Sequence, residues 1–252
     1  MGRPVVSVSQ NLWTEPFELQ VGRGQIYGHT LVNIQGYNSA QPTGFSAVWE
    51  KSNTTAYAFP SALTAMTFAS TSAETLTMVV SGVDDSYVAK SATVTFTAST
   101  SGTVTVGTSS FFRINSIQIT SGTSVGTITA ASSGGTVYAQ INAGTGRSQA
   151  SIYTVPAGYT FMLTRAQAFT TNNGNQHCIY RVYSQVISGG ITTPTTVLSA
   201  PFQQFYTSTR VVPRAYVEKT DIMWQLSQST AAHGSVQVEG ILIQNERPYS
   251  SE

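Results

Sequence analysis

Three stretches of this chain alternate threonine with an apolar residue: Thr75 to Val80, Ala92 to Thr97, and Thr103 to Val106. A period of two puts successive side chains on opposite faces of a strand, so each stretch offers one face to a core and one to water. Gly82-Val83-Asp84-Asp85 and Ser101-Gly102 interrupt the pattern, which predicts short antiparallel strands. Ile26 to Gly36 and Phe45 to Glu50 add two strands, separated by Asn38-Ser39 and Pro42-Thr43-Gly44. Ser61 to Ala69 reads as one or two helical turns, because Ala62, Met66 and Ala69 share a helical face. Residues 26–106 are therefore expected to form an immunoglobulin-like (Ig-like) β-sandwich without the usual cysteine pair.

A Ser/Thr/Gly-rich stretch from Ala98 to Ser110 follows. It reads either as a domain boundary, placed near residue 107, or as one long hairpin of the first sandwich. Strand patterns then recur over Phe111–Thr120, Gly126–Ala130, Thr136–Asn142, Ser151–Val155, Thr160–Thr171, His177–Ile187, Thr196–Val212, Ile222–Leu226 and Ser235–Gln244. The turn Pro156-Ala157-Gly158 divides two of them, with Pro fixing φ and Gly supplying a positive φ. Cys178, Tyr180, Val182 and Val186 are expected to face inward, as are Ile222, Trp224, Leu226, Val236, Val238 and Leu242. The run Thr196–Val212 is too long for one strand; Pro201 is expected to bend it and Pro213 to end it. So many antiparallel strands over residues 107–252 fit a jelly-roll β-sandwich. The expected fold class is all-β.

Residues 1–25 hold Pro4, Pro16 and Gly22-Arg23-Gly24, with Trp13 and Phe17 as their large apolar groups. They read as an extended N-terminal arm. Trp13 and Phe17 either anchor that arm on a neighbouring subunit, where aromatics dominate interface energetics, or pack on their own domain.

Charged residues make up 9% of the 252 residues, against about 25% in an average soluble protein. The 10% aromatic content still gives the chain enough to bury. A formal net charge of +1 provides no basic field to collect nucleic acid. The single cysteine, Cys178, excludes an internal disulfide and a cysteine-based zinc site. The start of the chain shows no apolar core of a signal peptide, and no apolar run is long enough to span a membrane as a helix. Neither a membrane nor a nucleic-acid partner is expected.

The residues that carry chemistry elsewhere are scattered here. His29, His177 and His233 lack metal-ligand spacing, so no metal or cofactor is expected. Asp84-Asp85 offers oxygen ligands for calcium but is also ordinary turn composition. A glycosidase needs two carboxylates across a cleft, and the spacing of Asp85, Glu218, Asp221 and Glu239 selects no two of them. Gly144-Thr145-Gly146-Arg147 lacks the lysine and the helix of a phosphate loop. Tyr153, Tyr159, Tyr180 and Tyr183 are candidates for a sugar platform or for half-buried packing. No catalytic residue is assigned.

The lines FFRINSIQITSG, GTVYAQINAGTG, SIYTVPAGYTFMLTRAQAFTT and SVQVEGILIQNE resemble β-sandwich virion proteins of tailed bacteriophages over residues 107–252. The resemblance implies a non-enzymatic structural protein located in the virion: a capsid decoration, neck or tail-associated subunit assembled in the host cytoplasm. Its implied partners are copies of itself and other virion proteins. The alternative is a receptor- or carbohydrate-binding module at a tail tip, with a host-surface glycan as partner. No collagen-like or heptad repeat supports a long fibre shaft.

Overall fold

The computed structural model describes residues 15–51, 56–171, 177–188 and 191–245. Antiparallel strands dominate, as the alternation requires, and they group into three sheets.

The longest strands, β3 (Thr64–Val83) and β4 (Ala89–Val106), pair along most of their length. Leu76, Met78 and Val80 of β3 and Ala92, Val94 and Phe96 of β4 are all buried, as their alternation predicts. The ribbon then folds back on itself. A Cβ on Gly102 would lie 2.7 Å from the side chains of both Val94 and Phe96, and Thr105 Oγ1 donates to the Thr93 carbonyl at 3.3 Å. In a straight strand, residues 94 and 102 would stand about 26 Å apart. The corner falls where pairing breaks between Ala69 and Glu74, opposite Ala98, which has φ 47°.

Glu74 fixes that corner. Its buried carboxylate accepts the amides of Val125 and Gly126 at 3.0 and 2.6 Å and the Ser70 hydroxyl at 2.8 Å. Burial pushes its pKa up, but these donors outweigh that and hold it below the ordinary value.

Beyond the corner the two halves of β3 take different partners. β7 (Ile128–Ser132) pairs with residues 66–70, and β6 (Arg113–Ser121) with residues 77–83. β5 (Ser110–Phe111) and β8 (Val137–Ile141) complete the sheet, which wraps one core containing Phe96, Phe111, Ile117 and Ile141. Two sequence expectations are corrected here. Ser61–Ala69 holds the start of β3 rather than helical turns: Met66 and Phe68 are buried while Ala62 and Ala69 are exposed, which is a period of two. The core does not divide near residue 107, because β5 to β8 close over β3 and β4; Ala98–Ser110 belongs to the first unit, as the hairpin alternative has it.

The remaining strands enclose a second core. β1 (His29–Gln41), β15 (Ala232–Gln244), β10 (Tyr159–Thr170) and β13 (Phe205–Tyr216) lie side by side in that order. The facing sheet runs β12 (Ile191–Phe202), β11 (Cys178–Ser188), β14 (Thr220–Gln228) and β2 (Ser46–Ala47), with β9 (Ile152–Thr154) also on β14. Tyr180, Trp224, Phe161, Val238 and Ile34 pack between the two sheets. Each large side chain buried here contributes about 1.5–3 kcal/mol. β1, expected in the first sandwich, instead pairs with the last strand. The segment carrying β3 to β8 is thus inserted between β2 and β9.

Two further differences concern backbone. The arm is helical over α1 (Phe17–Gly22), whose Val21 is buried. Pro213 does not end its strand: residues 210–213 bulge opposite Thr164 on the edge of the sheet, where a missing ladder donor costs nothing.

The inserted segment is held at both crossings. Gly36 lets β1 approach closely, since a Cβ there would sit 2.4 Å from the Val48 carbonyl. The Ser151 amide donates to the Val48 carbonyl and its carbonyl accepts the Trp224 amide, while its hydroxyl accepts from the Val48 amide and donates to the Trp224 carbonyl. Deeper in, Arg113 of β6 meets Asp221 of β14 through Nε and Nη2 at 2.9–3.1 Å, both side chains buried. Thr154 donates to the same carboxylate at 2.6 Å, and the guanidinium stacks on Phe112 and Phe59.

Candidate functional site

The outer face of the four-stranded sheet is set by register. Where Ile34, Gly36, Val236, Val238, Ala166 and Ala168 turn inward, their neighbours must turn out. Pairing aligns those neighbours in rows: Tyr37, Ser235, Phe169 and Phe205; then Gln35, Gln237, Gln167 and Thr207; then Asn33, Glu239, Arg165 and Thr209. One row is aromatic, the next amide, and the third carries the Arg165–Glu239 pair at 3.9 Å. Phe169 and Phe205 are 46% and 55% exposed.

At β1 this face meets the inserted segment. Trp49 bridges Ala150, Gln118 bridges Arg147, and Arg147 Nη2 donates to Gln35 Oε1 at 2.8 Å. On one side of that hydrogen bond lies a cleft of about 330 Å³. Gln35 and Tyr37 come from β1, Ser235 from β15, Glu50 from the outgoing crossing, Gln149 from the returning one, and Asn142 from the end of β8. A narrower polar cleft of about 140 Å³ lies on the other side, between β1 and β6.

Glu50 sets the electrostatics of the larger cleft. Burial pushes its carboxyl up to about 7, against the amide donors of Asn142 and Gln149. Oε2 accepts the Asn142 amide at 3.1 Å, while Oε1 is buried without a hydrogen-bond partner among the described residues. Near neutral pH this carboxyl divides between a form that donates and one that only accepts. Tyr37 is oriented by a 3.0 Å hydrogen bond shared with His233 Nδ1. With Thr145 also in its lining, the cleft therefore presents amides, hydroxyls, one ring and one carboxyl. That set suits hydrogen bonding to a small polar ligand, not proton shuttling between paired carboxylates.

The chain matches no protein-family model, no curated protein and no solved structure.

The residues singled out in the sequence fall mostly elsewhere. Trp13 lies outside the described residues; Phe17 opens α1, 46% exposed, with its ring edge-on to His29 at 5.8 Å. Among the described residues no three His, Cys, Asp or Glu side chains gather. Asp84 shapes its own turn by accepting the amides of Ser86 and Val88 at 2.9 Å. Of the four scattered carboxylates, Asp221 is tied to Arg113, Glu239 pairs with Arg165, and Glu218 accepts the Gly158 amide. Tyr153 and Tyr180 are buried in the core, which removes them from any platform. Glu50, Tyr37 and Gln149 carry no signal in the sequence; each is one ordinary residue in a strand or loop, and only the register of β1 together with the two crossings assembles them.

Proposed function

We propose that this chain is a non-enzymatic structural subunit of a tailed-phage virion, a capsid decoration, neck or tail-associated protein acting through contacts with its own copies and other virion proteins. The outer unit reads as a jelly roll. Supporting this, a four-stranded and a five-stranded sheet face each other in the orders β1-β15-β10-β13 and β12-β11-β14-β2 (β9 also on β14), with the first strand beside the last. The inserted β3–β8 unit reads as a small Ig-like module folded without a cysteine pair.

The observation that carries the subunit reading is on β13. Among the described residues it is an edge strand of its sheet, paired with β10 alone, and its bulge leaves Val211 completely exposed and Val212 79% exposed. Apolar side chains on a free strand edge invite pairing with another chain. A second copy seated along β13 would cover them together with Phe205 and Phe169. Phe17, with Trp13 before it, is the second candidate anchor.

The test is antibody labelling of purified phage particles, with the antibody raised against the whole chain. Regularly placed label at one part of the particle is the expected result. Presence of the chain only in the particle-free lysate contradicts the proposal.

A further inference from the structure

We propose that the cleft between β1 and the two crossings of the inserted segment is a binding site for a single sugar ring, the end of a glycan. The claim rests on the lining and not on oligomer state. At about 330 Å³ the cleft lies at the small end of ligand pockets, the size for one ring rather than an extended chain.

Its chemistry selects a polyol. Gln149 and Ser235 make no side-chain hydrogen bond among the described residues, so both are free to engage a ligand. Gln35 accepts Arg147 through Oε1, which leaves its NH₂ to donate. Glu50 lines the cleft, with its Oε1 buried and without a hydrogen-bond partner among the described residues. Neighbouring hydroxyls on a sugar both donate and accept, so they satisfy amides and a carboxyl together, while Tyr37 offers a ring face to the C–H side. An apolar ligand would strip water from these amides without replacing its hydrogen bonds. An anion would face Glu50, and Arg147, the nearby cation, is engaged by Gln35.

Saturation-transfer NMR on the full chain tests this with the methyl glycosides of glucose, galactose, N-acetylglucosamine and rhamnose at millimolar concentration. At least one should receive signal. Its affinity should fall about tenfold or more in Tyr37→Ala and in Gln149→Ala, and stay unchanged in Gln167→Ala, on the same face outside the cleft. Gln149→Glu keeps the side-chain size and guards against a folding defect; it should also weaken binding, by replacing a donor with an acceptor. No transfer to any of the four, or binding that survives the Tyr37 and Gln149 substitutions, overturns the proposal.

Discussion

Arg113 and Asp221, 108 positions apart in sequence, form a buried two-point salt bridge that ties the inserted unit to the outer one. Further polar contacts help the pair offset its desolvation. Thr154 serves the carboxylate, and the Pro60 and Phe112 carbonyls serve the guanidinium. Removing one partner strands a charge. Asp221→Ala should cost about 3–5 kcal/mol in urea unfolding, and Arg113→Met combined with Asp221→Leu should recover much of it. A double variant whose loss equals the sum of the two single losses would mean the pair is not coupled.

Glu74 predicts acid sensitivity at the corner of β3. Its carboxyl is held below the ordinary value of 4.5, so its stabilisation is complete above that pH and fades as pH falls through the folded value. Glu74→Ala leaves the Val125 and Gly126 amides without their acceptor and should cost about 2 kcal/mol at neutral pH. The difference from wild type should shrink in acid, as thermal unfolding across pH would show.

Glu50 predicts the reverse slope. Its folded pKa lies near 7 against an ordinary 4.5, so its contribution is complete below about 4.5 and is lost as pH rises through 7. Glu50→Gln should be more stable than wild type at pH 8 by roughly 1 kcal/mol, a figure reduced for partial solvent contact. Matching pH profiles for the two proteins would contradict the assignment.

Cys178 should be chemically silent in the folded chain. It is buried in the outer core, and burial pushes its thiol up to about 12. A thiol reagent should label it only at the rate of unfolding; fast labelling without denaturant would count against the packing of β11.

Much of the strand content was legible, and little of the pairing was. A period of two says which face of a strand is dry, and it placed Trp224, Tyr180, Leu76 and Phe96 correctly. It says nothing about the neighbour, so nothing in the residues of β1 points to β15 rather than to the strands that follow it. Thr103 to Val106 alternate as well as any stretch, yet Val104 is only partly buried against the core and Val106 is exposed. The cleft was illegible for the same reason. Gln35, Glu50 and Gln149 acquire a shared meaning only when the inserted segment leaves and returns beside β1.

The subunit account is tested most directly by sedimentation equilibrium of the full chain beside the Val211→Lys, Val212→Lys double variant. Wild type should assemble beyond the 26.8 kDa monomer, and the double variant should return to the monomer with its circular dichroism unchanged. A wild-type chain that stays monomeric at every concentration, or a variant that assembles equally well, would contradict it.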